Sequence, residues 1–120
     1  MKILIVEDNP FILAIIKAAI KVYDAEVAIE MDQFEAEKVF LKMAPDIVIS
    51  DLHMQEGDTW KLLKMISDGH QTKVLVVSSD NVYLRKVANE LGRSNWYFVN
   101  KNDHQWLRHI GEVMKIFFPL

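Results

Sequence analysis

The chain contains no cysteine, which removes disulfides, thiolate nucleophiles and cysteine metal sites together. Only four glycines and three prolines are spread over its 120 residues. No Gly/Pro/Ser-rich linker divides it, no repeat or low-complexity tract interrupts it, and the length suits one domain with one core. Basic charge is also short: 14 Lys and Arg against 17 acids leave a net charge of −3. That gives no surplus for holding nucleic acid by its phosphates, so no direct nucleic-acid partner is expected. No apolar run approaches the ~20 residues of a membrane helix, and "MKILIVEDNP" reaches two acids too soon for a signal peptide. A soluble, cytoplasmic protein with no membrane partner is the expectation. No G-x-G-x-x-G follows the first apolar run, which sets aside a dinucleotide-binding module. Histidines 53, 70, 104 and 109 offer no pair that shares a helix face well, so zinc is not expected.

What the sequence does have is five short apolar runs: Ile3–Val6, Glu26–Ile29, Ile47–Ser50, Val74–Ser78 and Trp96–Val99. Four are near-continuous rather than alternating, as parallel strands covered on both faces are. The second, "AEVAIEM", is more polar and suits a sheet edge. Helical patterns lie between them. Asn9 and Pro10 open the first, and Asp32 with Glu35 makes a capping-box-like start to the second. Asp58 can cap the third, and the fourth runs from Asp80 or Asn81 to a stop at Gly92. The fifth places Leu107, Ile110, Met114 and Phe117 on one stripe. Such β-α alternation predicts a doubly wound α/β fold with a parallel five-stranded sheet and five helices.

In open parallel sheets, ligands bind beyond the carboxyl ends of the strands. The residues there are Glu7 and Asp8, then Asp51, then Ser78, Ser79 and Asp80, then Asn100 and Lys101. A core strand ending on Asp51 needs a partner for that charge. Clustered carboxylates repel, and a hard divalent cation such as Mg²⁺ relieves them. An aspartate facing a phosphoryl donor can act as nucleophile. Of the three equatorial phosphoryl oxygens, Mg²⁺ can neutralise one, the Lys101 ammonium a second, and the Ser78 hydroxyl can donate to the third.

At "ILIVEDNP", "DIVISDLHM", "VLVVSSD" and "YFVNK", in that order, the chain resembles the receiver domain of two-component response regulators. The resemblance covers essentially residues 1–120 as one receiver domain without an output domain. It implies a flavodoxin-like sheet of strand order 2-1-3-4-5; the family's chemotaxis regulator is the standing example of that order. It further implies Asp51 as phosphoacceptor, and a metal site of Glu7, Asp8, Asp51 and the backbone carbonyl of His53. Ser78 would be the switch hydroxyl and Phe98 the switch aromatic, with Lys101 pairing a phosphoryl oxygen. His53 and Asp80 would tune dephosphorylation. The implied donor is a sensor histidine kinase or phosphotransfer protein. The implied output surface is that of the fourth helix, fifth strand and fifth helix, around Tyr83, Arg85, Lys86 and Trp106. It would meet a downstream protein or a second copy of the chain. Such a domain promotes only its own phosphorylation and dephosphorylation, and is not otherwise an enzyme.

The sequence departs from the family pattern at several places. Asn102 follows Lys101 where proline with a cis bond is usual, and a trans bond is expected, since a non-proline cis bond costs roughly 3–4 kcal/mol. Gln55 replaces a proline and Thr59 a glycine; neither is expected to touch the acid cluster. Phe98 stands where tyrosine could offer a hydroxyl. The alternative function is a receiver-like interaction module that works without phosphorylation. An aspartyl-nucleophile phosphatase would need a second acid at position 53, which is histidine. Asp8 could also serve simply as a cap. Met43, Met54, Met65 and Met114 read as core, and Trp60 and Trp106 as packing the third and fifth helices onto the sheet. Ile116, Phe118 and Leu120 fall off the core stripe, as an exposed apolar edge or a frayed end.

Overall fold

A computed structural model describes residues 1–119. Five parallel strands form one sheet: β1 (Lys2–Val6), β2 (Glu26–Glu30), β3 (Ile47–Ser50), β4 (Lys73–Ser78) and β5 (Trp96–Asn100). Their order is β2-β1-β3-β4-β5, with every neighbouring pair parallel. Five helices connect them: α1 (Pro10–Ile20), α2 (Gln33–Met43), α3 (Trp60–Gly69), α4 (Asn81–Glu90) and α5 (Trp106–Phe117). The order and the edge position of β2 agree with the sequence expectation.

Side chains along the strands alternate between two apolar clusters. Leu4, Val6, Val48, Val74, Val76 and Trp96 pack with residues of α2, α3 and α4. Ile3, Ile5, Ile47, Ile49, Leu75, Val77 and Val99 pack with residues of α1 and α5. Both faces are buried, so the runs are apolar without alternation, whereas β2 stays half exposed along one edge.

The helix starts follow the capping residues. Asn9 Oδ1 accepts from the N–H of Phe11 and Ile12, and Pro10 fills the first helical position. Asp32 Oδ1 accepts from Phe34 and Glu35, while Glu35 pairs with Lys38 at 3.1 Å. Asp58 accepts from Trp60 at the start of α3, and Asp80 from Tyr83 in α4. Gly92 ends α4 by close approach, since a Cβ there would lie 2.5 Å from the Ala88 carbonyl oxygen.

In α5 the expected stripe shifts. Leu107 is 51 % exposed, and the buried residues are Ile110, Val113, Met114 and Phe117. Trp106, one residue earlier, packs against the same cluster and takes the place assigned to Leu107. Trp60 packs against the other cluster, Met54 and Met114 are buried, and Met43 and Met65 are half-buried against the core. Phe118 is not a free edge: it stacks on Tyr23 with ring centroids 4.2 Å apart, while Ile116 is exposed. Leu120 lies outside the described residues.

Candidate functional site

Sheet register brings the first acids together. Val6 pairs with Ser50, so Glu7 and Asp51, one residue on, are neighbours across β1 and β3. The Asp51 N–H continues the ladder to the Val6 carbonyl at 3.0 Å. The two-residue alternation then sorts the side chains. Glu7, Asp51 and Lys101 have the parity of the α1/α5 face, and Ser78 and Phe98 that of the α4 face.

Lys101 Nζ lies 3.5 Å from Asp51 Oδ2 and 3.7 Å from Glu7 Oε2. Carboxylate oxygens of Glu7, Asp8 and Asp51 all fall within 4.8 Å of one another. Glu7 is 0 % exposed; its Oε1 accepts from the Asn9 N–H at 3.2 Å, and its buried Oε2 has no hydrogen-bond partner. Burial and the nearby Asp51 charge push the Glu7 carboxyl up to about 7, against the pull of Lys101 and the Asn9 N–H. Burial also raises Asp51, opposed by Lys101 and by the Leu52 N–H, which donates to Oδ1 at 2.7 Å. Three carboxylates facing one ammonium leave two negative charges uncompensated when all are ionised. This cluster can hold a metal ion. An all-oxygen donor set with an orphaned buried oxygen fits a hard divalent cation.

The segment after Asp51 folds back as a short antiparallel hairpin, His53–Met54 against Gly57–Asp58. Gly57 turns it with φ 147°, a conformation that disfavours other residues. The fold-back corrects the expectation that position 55 stands clear of the acid cluster, and it brings Thr59 to the Asp51 backbone. The Gln55 N–H donates to Asp8 Oδ2 at 2.6 Å, and the buried Thr59 hydroxyl donates to the Asp51 carbonyl at 2.6 Å. Ser50 Oγ donates to that same carbonyl at 2.6 Å. Gln55 and Thr59 carry no strand-end signature, and only the hairpin reveals them.

The remaining candidates form a second group. Ser78 is 1 % exposed, and its Oγ accepts from the Asp80 N–H at 3.1 Å. Asp80 Oδ2 lies 2.8 Å from His53 Nε2, joining the loops after β3 and β4. The Tyr83 N–H and His53 hold the Asp80 carboxyl below the usual range. Tyr83 donates its hydroxyl to Asp58 at 3.1 Å, and burial with that bond raises its phenol to about 12. Half-buried Phe98 lies on the core beside Trp96, ring centroids 6.4 Å apart. The Lys101–Asn102 peptide is trans, as expected from asparagine.

The response regulator receiver domain model matches residues 3–109. The chain belongs to this family. Among solved structures, this receiver domain is similar to the response regulator domain of Thermotoga maritima CheB, at 21% identity and TM-score 0.76, covering 98% of this chain and 93% of that one. It is also similar to the chemotaxis response regulator CheY4 of Vibrio cholerae, at 18% identity and TM-score 0.77, covering 97% of each chain. The non-phosphorylated receiver domain of HemR from Leptospira biflexa matches at 23% identity and TM-score 0.79, covering 99% of this chain and 94% of that one. No curated protein sequence matches. The receiver's acid cluster, hydroxyl and lysine thus lie on the fold of two-component signalling domains. No helix among the described residues is long and apolar enough to cross a membrane.

Proposed function

We propose that this receiver accepts a phosphoryl group on Asp51 from the phosphohistidine of a sensor kinase or phosphotransfer protein, or from a small phosphodonor. The supporting observation is the meeting of Asp51 with Lys101 at 3.5 Å inside an acid cluster whose buried Glu7 oxygen lacks a hydrogen-bond partner. An Asp51 carboxylate oxygen attacks phosphorus, a P–O bond forms, the P–N bond to the donor imidazole breaks, and the imidazole leaves as it takes up a proton. Lys101 pairs with one phosphoryl oxygen and Ser78 donates to another. Glu7, Asp8, Asp51 and the His53 carbonyl are the groups that would hold Mg²⁺. Bound there, Mg²⁺ supplies charge neutralisation for the phosphoryl oxygens. The bond between His53 and Asp80 crosses from one loop of the site to the other, which suits a role for both in the lifetime of the aspartyl phosphate.

The parity of the sheet supports the switch. Ser78 and Phe98 share a face with α4, so a hydroxyl drawn toward the phosphoryl group changes the packing beneath Tyr83 and α4. Phosphorylation biases this α4-β5-α5 surface, with exposed Arg85 and Lys86, toward a downstream protein or a second copy.

Incubation with Mg²⁺ and acetyl phosphate should add one phosphoryl group to the intact mass, and EDTA or Asp51→Asn should abolish the gain. Uptake by the Asp51→Asn protein would contradict the assignment. No uptake, joined with unchanged NMR shifts in beryllofluoride and Mg²⁺, would leave the phosphorylation-independent module as the account.

A further inference from the structure

The end of β4 at Ser78 and Ser79 and the loop that carries Lys101 are bound to each other on both sides of the lysine. The Lys101 N–H donates to the Ser78 carbonyl at 2.9 Å, continuing the β4–β5 ladder past the Ser78–Asn100 pair. One residue later, Asn102 Nδ2 donates to the Ser79 carbonyl at 2.8 Å. The turn is closed on itself as well. The Asn102 N–H donates to Asn100 Oδ1 at 2.8 Å, and the Asp103 N–H to the Asn100 carbonyl at 3.0 Å. A lysine ammonium rides on a flexible four-carbon stem, so where its backbone is held decides where its charge can dwell. Here the backbone has one anchor before the Lys101 Cα and one after it, both on the segment that begins with Ser78.

Resting on the reading of Lys101 as a phosphoryl ligand, we infer that Asn102 is a positioning residue for Lys101. Through its side-chain amide, the lysine loop and the hydroxyl loop move as one body. A displacement of Ser78 and Ser79 would then carry the Lys101 backbone with it, coupling the two groups that contact the phosphoryl oxygens. A turn residue of no functional consequence would affect stability alone.

The test uses Asn102→Ala and Asn102→Asp, the second nearly isosteric but with no donor for Ser79. Amide exchange is read first, without metal or phosphodonor. The Lys101, Asn102 and Asp80 amides should lose protection about fivefold together in both variants, while those of β1 and β3 hold. The rate of phosphoryl uptake at saturating acetyl phosphate with Mg²⁺ should fall about fivefold, with the half-saturating donor concentration unchanged. The Lys101→Ala/Asn102→Ala double variant should react no more slowly than Lys101→Ala alone, because the second residue acts through the first. Unchanged exchange at Lys101 and Asp80, or an additive loss in the double variant, would overturn the inference. Lost protection in the variants, with no uptake by the parent protein, would retire the phosphoacceptor reading and leave the anchoring intact.

Discussion

Glu7 gives the receiver a pH-dependent weakness that a single substitution should remove. Its carboxyl is fully buried and raised from an ordinary 4.5 to about 7, chiefly by burial and then by Asp51. In the metal-free protein the folded state therefore binds this proton more tightly than the unfolded state does. Stability tied to the group is fully present below pH 4.5 and is lost as pH rises through about 7. A shift of that size corresponds to roughly 3 kcal/mol. Asp51, raised in the same direction, adds slope of the same sign. Glu7→Gln cannot ionise, and its side-chain oxygen can still accept from Asn9. In place of Oε2 it buries an unpaired NH₂ group beside the Lys101 ammonium, at a cost of about 1–2 kcal/mol. The net expectation is a metal-free variant about 1–2 kcal/mol more stable than the parent at pH 8, and no more stable at pH 5. Urea unfolding at both pH values reads this directly. Saturating Mg²⁺ at pH 8 should reverse the order, since only the parent keeps all three carboxylates. A parent whose metal-free stability is flat from pH 5 to 8, or a variant less stable at both, would mean that Glu7 is not a destabilising buried charge at pH 8.

Three further outcomes are expected. Lys101→Met removes the one ammonium beside Asp51 and Glu7, so the rate of phosphoryl uptake should drop at least ~10-fold; a parental rate by intact-mass kinetics would contradict its role. Gly92→Ala places a Cβ 2.5 Å from the Ala88 carbonyl oxygen and should cost about 1–3 kcal/mol in urea unfolding; a neutral change would show that the turn relaxes freely. Tyr83→Phe loses the bond to Asp58 beneath the stacked Trp60, whose ring lies 6.1 Å from that of Tyr83. It should shift the tryptophan emission and cost about 0.5–1.5 kcal/mol; an unchanged spectrum would mean the bond does not fix the contact.

The strands were legible because parallel strands buried on both faces need apolar runs, and four of the five runs had that form. The acids at positions 7, 8 and 51 stood out as charges abutting core strands, and their register follows from Val6 opposite Ser50. Gln55 was misjudged, and the bond from Thr59 to the Asp51 backbone was missed, because both contacts arise from a hairpin too short to leave a periodic signal. Leu107 and Trp106 fit a helical stripe almost equally well, and the sheet below selects between them by burial rather than by spacing. The stacking of Phe118 on Tyr23 joins α5 to the segment after α1, a long-range contact that local pattern does not encode. Asn102 drew notice only as a departure; its bond to Ser79 needed two loops in place.

Reductive trapping shows which residue carries the phosphoryl group. After incubation with Mg²⁺ and acetyl phosphate, borohydride converts an aspartyl phosphate to homoserine, which peptide mass mapping locates to one residue. Conversion is expected at Asp51 and none at Glu7, Asp8 or Asp80. Conversion at another carboxylate, with Asp51 recovered intact, would contradict it.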